Sequence, residues 1–400
     1  MTSVRALDGN WAVAEGVRLA RPQVVAAYPI TPQTPIVERI ADFISGGALP
    51  DTRYIAVESE HSALSAVVGA SLVGTRVFTA TAGAGLALMH EVVGVASGNR
   101  LPILMAVANR ALPSPWSLQA DHSDSMAERD MGWIQLYAEN CQEALDFVLL
   151  GYRLAETARL PVMLCIDGFY LSHNTEAVSV PNTEVVDAYL PAYEPGAVRL
   201  DPERPITINQ LTSSDVFTEI KHAHKQALDQ SLDQLSRLGE EFGAHFGRVY
   251  SPVQAEGCIG ADVVIVSMGS SAGTARQVAK ELRRDGQKIG ALKVTSYRPF
   301  PRDAVKEALK DAKRVAVVDR SWGLGSEGPL SLEVKAALYP LYRKPLIAGY
   351  VAGLGGRDLT AATLRRIVDA TMELGAEEHE SCGPVWIDVK EGGELDGSGM

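Results

Sequence analysis

Two short segments carry the side chains that are best placed to do chemistry. The segment Tyr28-Pro29-Ile30-Thr31-Pro32 presents a hydroxyl on a rigid turn directly after an apolar run. The segment Glu58-Ser59-Glu60-His61-Ser62-Ala63 places a carboxylate where a second apolar run is followed by a helix pattern. Ligands of open parallel sheets bind at the carboxyl ends of the strands. We therefore expect Thr31 and Glu60 to face the same crevice.

Glu60 has two interpretations. An acid in the first turn of a helix is favoured by the helix dipole, so a purely structural role is open. Alternatively, the carboxylate partners a heterocyclic nitrogen. Thiamine diphosphate enzymes place such a glutamate beside N1′ of the aminopyrimidine, where it favours the imino tautomer, and the cofactor does the difficult chemistry. Glu60 is therefore the first candidate for a catalytic and cofactor-binding residue.

Arg110 lies in the segment Ala108-Asn109-Arg110-Ala111-Leu112, which follows the apolar run Leu101–Val107. A guanidinium fork binds both oxygens of a carboxylate, which suits a substrate acid, although a surface salt bridge is an equal alternative. Thr31 would add a hydrogen bond to the same carboxylate or to a keto oxygen.

The loop Thr79–Gly85 consists almost entirely of small residues, among them Ala82, Gly83, Ala84 and Gly85. Such a loop lets a ligand approach the backbone and exposes helix N-terminal amides, although tight helix–sheet packing is an equal explanation. It matches neither a P-loop nor a dinucleotide-binding fingerprint.

No metal site is expected. The cluster Asp121-His122-Ser123-Asp124 has no second cluster to complete it, and the four cysteines are far apart, with no Cys-x-x-Cys pair. Iron–sulfur and zinc sites show clustered spacings, so free buried thiols are expected instead. The cysteines are Cys141, Cys165, Cys258 and Cys382.

Composition narrows the function classes. The chain has 400 residues, 46% of them apolar, and a net charge of −12, which argues against nucleic acid or anionic membrane as a partner. No apolar run approaches the roughly 20 residues that span a bilayer, and the N-terminus has no signal-like region, so we expect a cytoplasmic protein.

The elements that must position these residues alternate between strand and helix. Runs rich in Val, Ile and Leu, separated by helix patterns, predict a doubly wound parallel α/β sheet. The predicted strands are Gln23–Tyr28, Tyr54–Val57, Arg76–Ala80, Leu101–Val107 and Pro161–Ile166. The predicted helices are Thr34–Phe43, His61–Val73, Leu86–Ser97 and Gln142–Thr157.

The second half of the chain predicts a further α/β unit. Residues 181–205 have a linker composition, Phe217–Phe242 has the pattern of a long amphipathic helix, and a new alternation starts at Ala261. The predicted organisation is a first domain over 1–185, a linker with the long helix over 186–257, a second domain over 258–375, and a tail over 376–400. The acidic end Glu391–Met400 is expected to be mobile or to dock on a partner.

Taken together, the segments resemble the α subunit of the 2-oxoacid:ferredoxin oxidoreductases, the group of pyruvate synthase and phenylglyoxylate dehydrogenase. The resemblance runs from about Gly9 to Asp388. It rests on YPITPQT at Tyr28–Thr34, VESEHSA at Val57–Ala63, GLALMHE at Gly85–Glu91, NRAL at Asn109–Leu112, DHSDSM at Asp121–Met126, GWIQLYAEN at Gly132–Asn140, DGF at Asp167–Phe169, RPFP at Arg298–Pro301 and GLGGRD at Gly353–Asp358.

The resemblance implies a role for each matched residue. Glu60 matches the glutamate that contacts the aminopyrimidine, and Thr31 and Arg110 match the residues that hold the substrate carboxylate. Tyr28, Pro29 and Gly85 would complete the cofactor contacts. The first domain then resembles a thiamine diphosphate pyrimidine-binding domain, and the second resembles the C-terminal domain of transketolase.

The resemblance also implies partners, because Gly-Asp-Gly, the usual diphosphate–Mg²⁺ stretch, occurs nowhere in the chain. A β subunit would supply the diphosphate grip with Mg²⁺ and 4Fe–4S clusters, alongside γ- and δ-type subunits. Coenzyme A would accept the acyl group, and ferredoxin or NAD(P) would accept the electrons. Two other interpretations stay open: a non-catalytic structural subunit of such a complex, and a self-sufficient two-domain transferase.

The substrate is expected to be pyruvate, the commonest of the group, or a bulkier acid. Where relatives usually read TSSQG, this chain has Thr81-Ala82-Gly83-Ala84-Gly85, and Gly94-Val95 replaces aromatic residues in the next helix. Lost side-chain volume would widen the pocket. We therefore also consider an aryl 2-oxoacid such as phenylglyoxylate.

Overall fold

The structure, a computed structural model, describes residues 3–113, 115–196, 198–375 and 384–390. Its strands are β1 Ser3–Asp8, β2 Val24–Ala27, β3 Arg53–Ala56, β4 Val77–Thr81, β5 Leu104–Asn109, β6 Ile134–Tyr137, β7 Val162–Asp167, β8 Thr175–Val180, β9 Val253–Glu256, β10 Val263–Ser267, β11 Ile289–Val294, β12 Ser296–Arg298, β13 Arg314–Asp319, β14 Leu346–Val351 and β15 Val385–Trp386.

The helices have the following bounds in chain order. They are α1 Gly9–Ala20, α2 Thr34–Ser45, α3 Glu60–Leu72, α4 Gly83–Leu88, α5 His90–Gly98, α6 Ser123–Ala127, α7 Cys141–Ala158, α8 Thr183–Tyr189, α9 Ser214–Phe246, α10 Ser271–Arg284, α11 Arg302–Leu309, α12 Pro329–Leu338 and α13 Ala361–Glu373. A short 3-10 helix covers Leu354–Gly356.

The first domain is built on a seven-stranded sheet with the order β12-β6-β7-β5-β4-β2-β3. All of its neighbouring strands from β6 to β3 are parallel, and its two faces are covered by helices that belong to two separate apolar clusters. The prediction of a doubly wound parallel sheet is therefore confirmed. The chain reverses its direction of winding between β2 and β4, which is where such sheets bind ligands.

Several elements of the first domain were not predicted. A two-stranded sheet of β1 and β8 is separate from the main sheet, and helix α1 begins after Asp8, whose Oδ1 accepts the N–H of Trp11 at 2.7 Å. Helix α8 lies inside the segment with linker composition, and the Asn182 side chain caps it. The single helix predicted over Leu86–Ser97 is two helices, α4 and α5, with a break at Met89.

The second domain is a six-stranded sheet with the order β15-β14-β13-β10-β11-β9. Helices α10 and α13 pack on one face, and α11 and α12 cover the other face together with residues of the first domain. Strand β15 lies within the segment assigned to the tail, where it pairs in parallel with β14. The segment Glu391–Met400 lies outside the described residues.

The two domains are joined by more than the connecting chain. Strand β12 follows β11 of the second domain but pairs with β6, as the edge strand of the first sheet. The buried ammonium of Lys293 on β11 forms ion pairs with Glu143 and, at 3.3 Å, with Glu139. These contacts fix the second domain against the first domain.

No helix within the described ranges is both long and apolar enough to cross a bilayer. Three cysteines lie in the described part of the chain and, as predicted, are buried and free: Cys141, Cys165 and Cys258. Burial raises the pKa of the Cys258 thiol to about 11, so this thiol is inert at neutral pH. Cys382 lies outside the described residues.

Candidate active site

The predicted site residues follow four neighbouring strands of the first sheet. Thr31 follows β2, Glu60 follows β3, and Arg110 follows β5. The predicted loop Thr79–Gly85 is instead the end of β4, a turn at Ala82 and the start of α4. Because β3, β2, β4 and β5 are adjacent and parallel, their carboxyl ends meet at one edge of the sheet. Thr31 and the turn at Ala82 follow the two strands on either side of the reversal point.

Glu60 is the first residue of α3, and the helix does not use it as a cap. Ser59 is the N-cap residue, and its hydroxyl accepts the N–H of Ser62 at 3.2 Å. The Glu60 side chain is only 6% exposed, and among the described residues its carboxylate has no hydrogen-bond partner. Burying a carboxylate without a hydrogen-bond partner costs free energy. A ligand that donates a hydrogen bond to Glu60 would remove part of that cost.

Gly85 makes room for that carboxylate. A Cβ on Gly85 would lie 2.7 Å from Glu60 Oε1 and 2.7 Å from Thr81 Oγ1. The Thr81 hydroxyl is itself buried and has no hydrogen-bond partner in the described structure. Thr81 belongs to the predicted small-residue loop but was not a predicted site residue. The available signal was its hydroxyl at the carboxyl end of a buried strand.

Arg110 is buried, at 3% exposure, which contradicts the alternative of an arginine in a surface salt bridge. Its Nη1 donates to the carbonyl oxygen of Thr31, and its Nε has no partner. Burial lowers the pKa of the guanidinium, and the nearby charges of Asp124 and Glu60 oppose that shift. The site therefore holds a partly desolvated cation with an unused donor.

Thr31 reaches Arg110 through its backbone, and the predicted hydroxyl role rests on a side chain that is exposed. The turn is held by Asn10, whose Nδ2 donates to the Pro32 carbonyl at 3.0 Å. Tyr28, at 38% exposure, and Pro29 are also exposed. These residues thus line the open side of the site.

The small loop residues are explained largely by the packing of this chain's own side chains. Gly83 has a φ of +48°, and a Cβ there would lie 2.5 Å from Arg110 Nε. Gly85 accommodates Glu60 and Thr81 in the same way. Ala82 is fully buried, and Ala84 is half-buried. The two glycines therefore do not by themselves enlarge a pocket.

Gly94 lies away from Glu60. A Cβ on Gly94 would contact the Met131 side chain at 2.9 Å, and the residue lines a groove of about 1250 Å³ between α9 and the second domain. None of the predicted site residues lines that groove. The groove is therefore separate from the candidate site.

The segment considered as a metal site is used for other contacts. His122 Nε2 lies 2.5 Å from Asp167 Oδ1, and Asp121 Oδ1 accepts the N–H of Ser123 at 2.8 Å. Asp124 accepts backbone and side-chain N–H groups of the site loops. The described residues contain no group of three or more His, Cys, Asp or Glu side chains placed to hold a metal.

A buried ionic cluster between the domains was missed by the sequence reasoning. Asp167 Oδ2 accepts the N–H of Ser270 at 3.0 Å and lies 3.5 Å from Nη1 of Arg320, while Oδ1 contacts His122. Burial disfavours ionisation, but the charge of Arg320 and the contacts of His122 and Ser270 hold the pKa of Asp167 well below its ordinary value. Asp167 therefore joins the two domains as a carboxylate.

Two family models match the chain. The first, "Pyruvate flavodoxin/ferredoxin oxidoreductase, thiamine diP-bdg", covers residues 15–237. The second, "Pyruvate:ferredoxin oxidoreductase core domain II", covers residues 261–364. Among solved structures, the 2-oxoglutarate:ferredoxin oxidoreductase of Magnetococcus marinus is similar in fold, with a TM-score of 0.75 and 23% identity over 92% of this chain and 65% of that chain.

Several named relatives are similar to the chain over nearly its whole length. The pyruvate synthase subunit PorA of Methanocaldococcus jannaschii is 44% identical over 98% of this chain and 99% of that protein. The PorA of Thermotoga maritima is 47% identical over 94% and 97%, and the ketoisovalerate oxidoreductase subunit VorA of Pyrococcus horikoshii is 44% identical over 91% and 93%. The chain therefore belongs to the pyruvate flavodoxin/ferredoxin oxidoreductase family.

Proposed function

We propose that this chain is the α-type subunit of a thiamine diphosphate-dependent 2-oxoacid:ferredoxin oxidoreductase, and that pyruvate is its substrate. The observation that carries the proposal is that two buried charged groups with unfilled hydrogen-bonding positions lie at the same edge of the sheet. Glu60 supplies a carboxylate without a hydrogen-bond partner, and Arg110 supplies a guanidinium with a free Nε. One group suits a heterocyclic nitrogen, and the other suits a substrate carboxylate.

The residues present fit the aminopyrimidine half of this cofactor. The Glu60 carboxylate would form a hydrogen bond with N1′ and so favour the imino tautomer, and the buried Thr81 hydroxyl beside it is unpaired. Thiamine diphosphate, when bound, supplies the nucleophilic carbon for attack on the keto group and takes up the electrons left by decarboxylation.

Arg110 and Thr31 would bind and orient the substrate. The guanidinium is held by the Thr31 carbonyl, so its fork is fixed before the substrate arrives. A charge-assisted hydrogen bond to a buried guanidinium is stronger than one to an exposed group, and a preorganised group loses little conformational entropy when the substrate binds. The substrate carboxylate would therefore be held with its keto carbon facing the cofactor.

A partner chain would complete the site. The chain has no Gly-Asp-Gly stretch for Mg²⁺ and diphosphate, and apolar side chains are exposed near the site loops, including Leu88 at 52% and Trp116 at 76%. We propose a β subunit that carries Mg²⁺, the diphosphate grip and iron–sulfur clusters, with γ- and δ-type subunits. These partners would deliver electrons to ferredoxin or NAD(P), and coenzyme A would accept the acyl group.

Pyruvate is favoured because most of the relatives named above are pyruvate synthase subunits. 2-Oxoisovalerate is the second candidate, because VorA is as similar to this chain as PorA is. An aromatic acid such as phenylglyoxylate has less support, since Gly83 and Gly85 are packed against Arg110 and Glu60.

The test is a turnover panel on the complex that co-purifies with this chain. It uses pyruvate, 2-oxoisovalerate, 2-oxoglutarate and phenylglyoxylate, each with coenzyme A and either ferredoxin or NAD. We expect the highest kcat/KM with pyruvate and ferredoxin. A preference for phenylglyoxylate would contradict the substrate assignment, and no turnover of any 2-oxoacid would contradict the function.

A further inference from the structure

One buried carboxylate bonds two of the loops that form the candidate site. Asp124 lies on the short helix α6 and is 1% exposed. Its Oδ2 accepts the backbone N–H of Gly83 at 2.9 Å and the backbone N–H of Arg110 at 3.0 Å. A single oxygen atom therefore fixes the loop after β4 relative to the loop after β5.

The other carboxylate oxygen of Asp124 also accepts two hydrogen bonds. Oδ1 accepts Nδ2 of Asn109 and the N–H of Ser125, both at 2.8 Å. All four of these hydrogen-bond partners are N–H donors, so a protonated carboxyl would place a donor against a donor. Burial raises the pKa of Asp124, and the four N–H groups oppose that shift and favour the ionised form.

Helix α6 is itself held by the second domain. The backbone N–H of His122, the residue before α6, donates to the carbonyl oxygen of Arg320 at 2.9 Å. The His122 ring contacts Asp167, which in turn accepts a bond from Ser270. Asp124 is therefore positioned by contacts from both domains, although it lies in the first.

We propose that Asp124 is the positioning residue that sets the guanidinium of Arg110 for the substrate carboxylate. It acts through the backbone of Arg110 and of Gly83, against which the Arg110 side chain packs. The inference rests on the proposed function, because it concerns the binding of a 2-oxoacid. It also gives the second domain a role, since the contacts of His122 fix the helix that carries Asp124.

Asp124→Asn is the discriminating variant because it keeps the shape of the side chain. An amide has one oxygen, so one pair of donors faces an NH₂ group, whichever way it is oriented. A displaced Arg110 would bind the 2-oxoacid more weakly, and we expect KM to rise at least about tenfold while kcat stays within about threefold. A change that only lowered the folded fraction would reduce the apparent kcat and leave KM unchanged.

The matched control is Asp146→Asn. Asp146 is equally buried, accepts bonds from Arg248 at 2.6 Å and from the Tyr250 hydroxyl at 2.6 Å, and lies on α7 away from the site. This variant should lose stability but keep the wild-type KM. If Asp124 acts through Arg110, Arg110→Lys and the double variant with Asp124→Asn should have KM values within about threefold of each other.

The measurements are made on the whole complex with the best substrate of the panel. A wild-type KM in Asp124→Asn, or a KM effect that multiplies in full with that of Arg110→Lys, would overturn the inference and leave the proposed function standing. A wild-type complex that turns over no 2-oxoacid would overturn the proposed function, and the inference with it.

Discussion

The carboxylate of Glu60 lies directly against the Cα of Gly85, so close that a methyl group on Gly85 would come within 2.7 Å of Glu60 Oε1. The two residues follow different strands, β3 and β4, and β2 lies between these strands in the sheet. Glycine at position 85 is therefore what allows an acid from one side of the reversal point to reach across to the other side.

Gly85→Ala is expected to damage the site with little effect on the fold. The new methyl group would displace the Glu60 side chain or the Thr81 hydroxyl, so we predict a loss of turnover of about tenfold or more and weaker thiamine diphosphate binding by the complex. The control is Gly69→Ala on α3, where a Cβ meets no atom within 4 Å and activity should be unchanged. Equal activity in both variants would contradict the assigned contact.

Asp167→Asn tests the ionic cluster between the domains. It would leave the guanidinium of Arg320, 2% exposed, without its buried counter-charge. Removing one partner of a buried pair costs about 3–5 kcal/mol, so a clear fall in the thermal midpoint is expected. The exposed Asp303→Asn should leave the midpoint unchanged. Similar midpoints for both variants would show that the cluster contributes nothing to stability.

The raised pKa of Asp319 predicts how the stability of the fold depends on pH. The residue lies at the end of β13, and although its oxygens accept the N–H groups of Leu330 and Ser331, burial raises its pKa from 3.8 to about 7. Between these two pH values the folded chain binds more protons than the unfolded chain, so the free energy of unfolding falls as pH rises through this window.

The check for Asp319 is a comparison of thermal unfolding from pH 4 to pH 8. Asp319→Asn cannot ionise, so the loss of stability relative to the wild type should be largest near pH 4 and should shrink towards pH 8. The exposed Asp285→Asn should run parallel to the wild type. A constant difference between Asp319→Asn and the wild type across this range would contradict the raised pKa.

The strands that position the site were predictable because they are local patterns. Apolar runs marked β2 to β5 and β7, and the predicted start of α3 at His61 lies one residue from its start at Glu60. That the segments after these strands lie close together was then predictable as well, because parallel strands bring their carboxyl ends to one edge of the sheet.

The rest depends on contacts between distant parts of the chain. The three-residue strand β12 has no period of its own, and it exists because the edge of β6 is available to it. The N–H of Gly83 at the start of α4 donates to Asp124, and Gly83 leaves room for the buried side chain of Arg110. No spacing in the sequence could show these pairings.

The most direct test of the central claim is the activity of the complex that carries Glu60→Gln. The measurement is 2-oxoacid- and thiamine diphosphate-dependent reduction of ferredoxin, with Gly69→Ala as the control on the same helix. We predict a fall in kcat of at least about a hundredfold, because an amide has no charge and cannot exchange a proton with N1′ of the aminopyrimidine as a carboxyl group can. Wild-type kcat in this variant would contradict the account and favour a structural role for the chain.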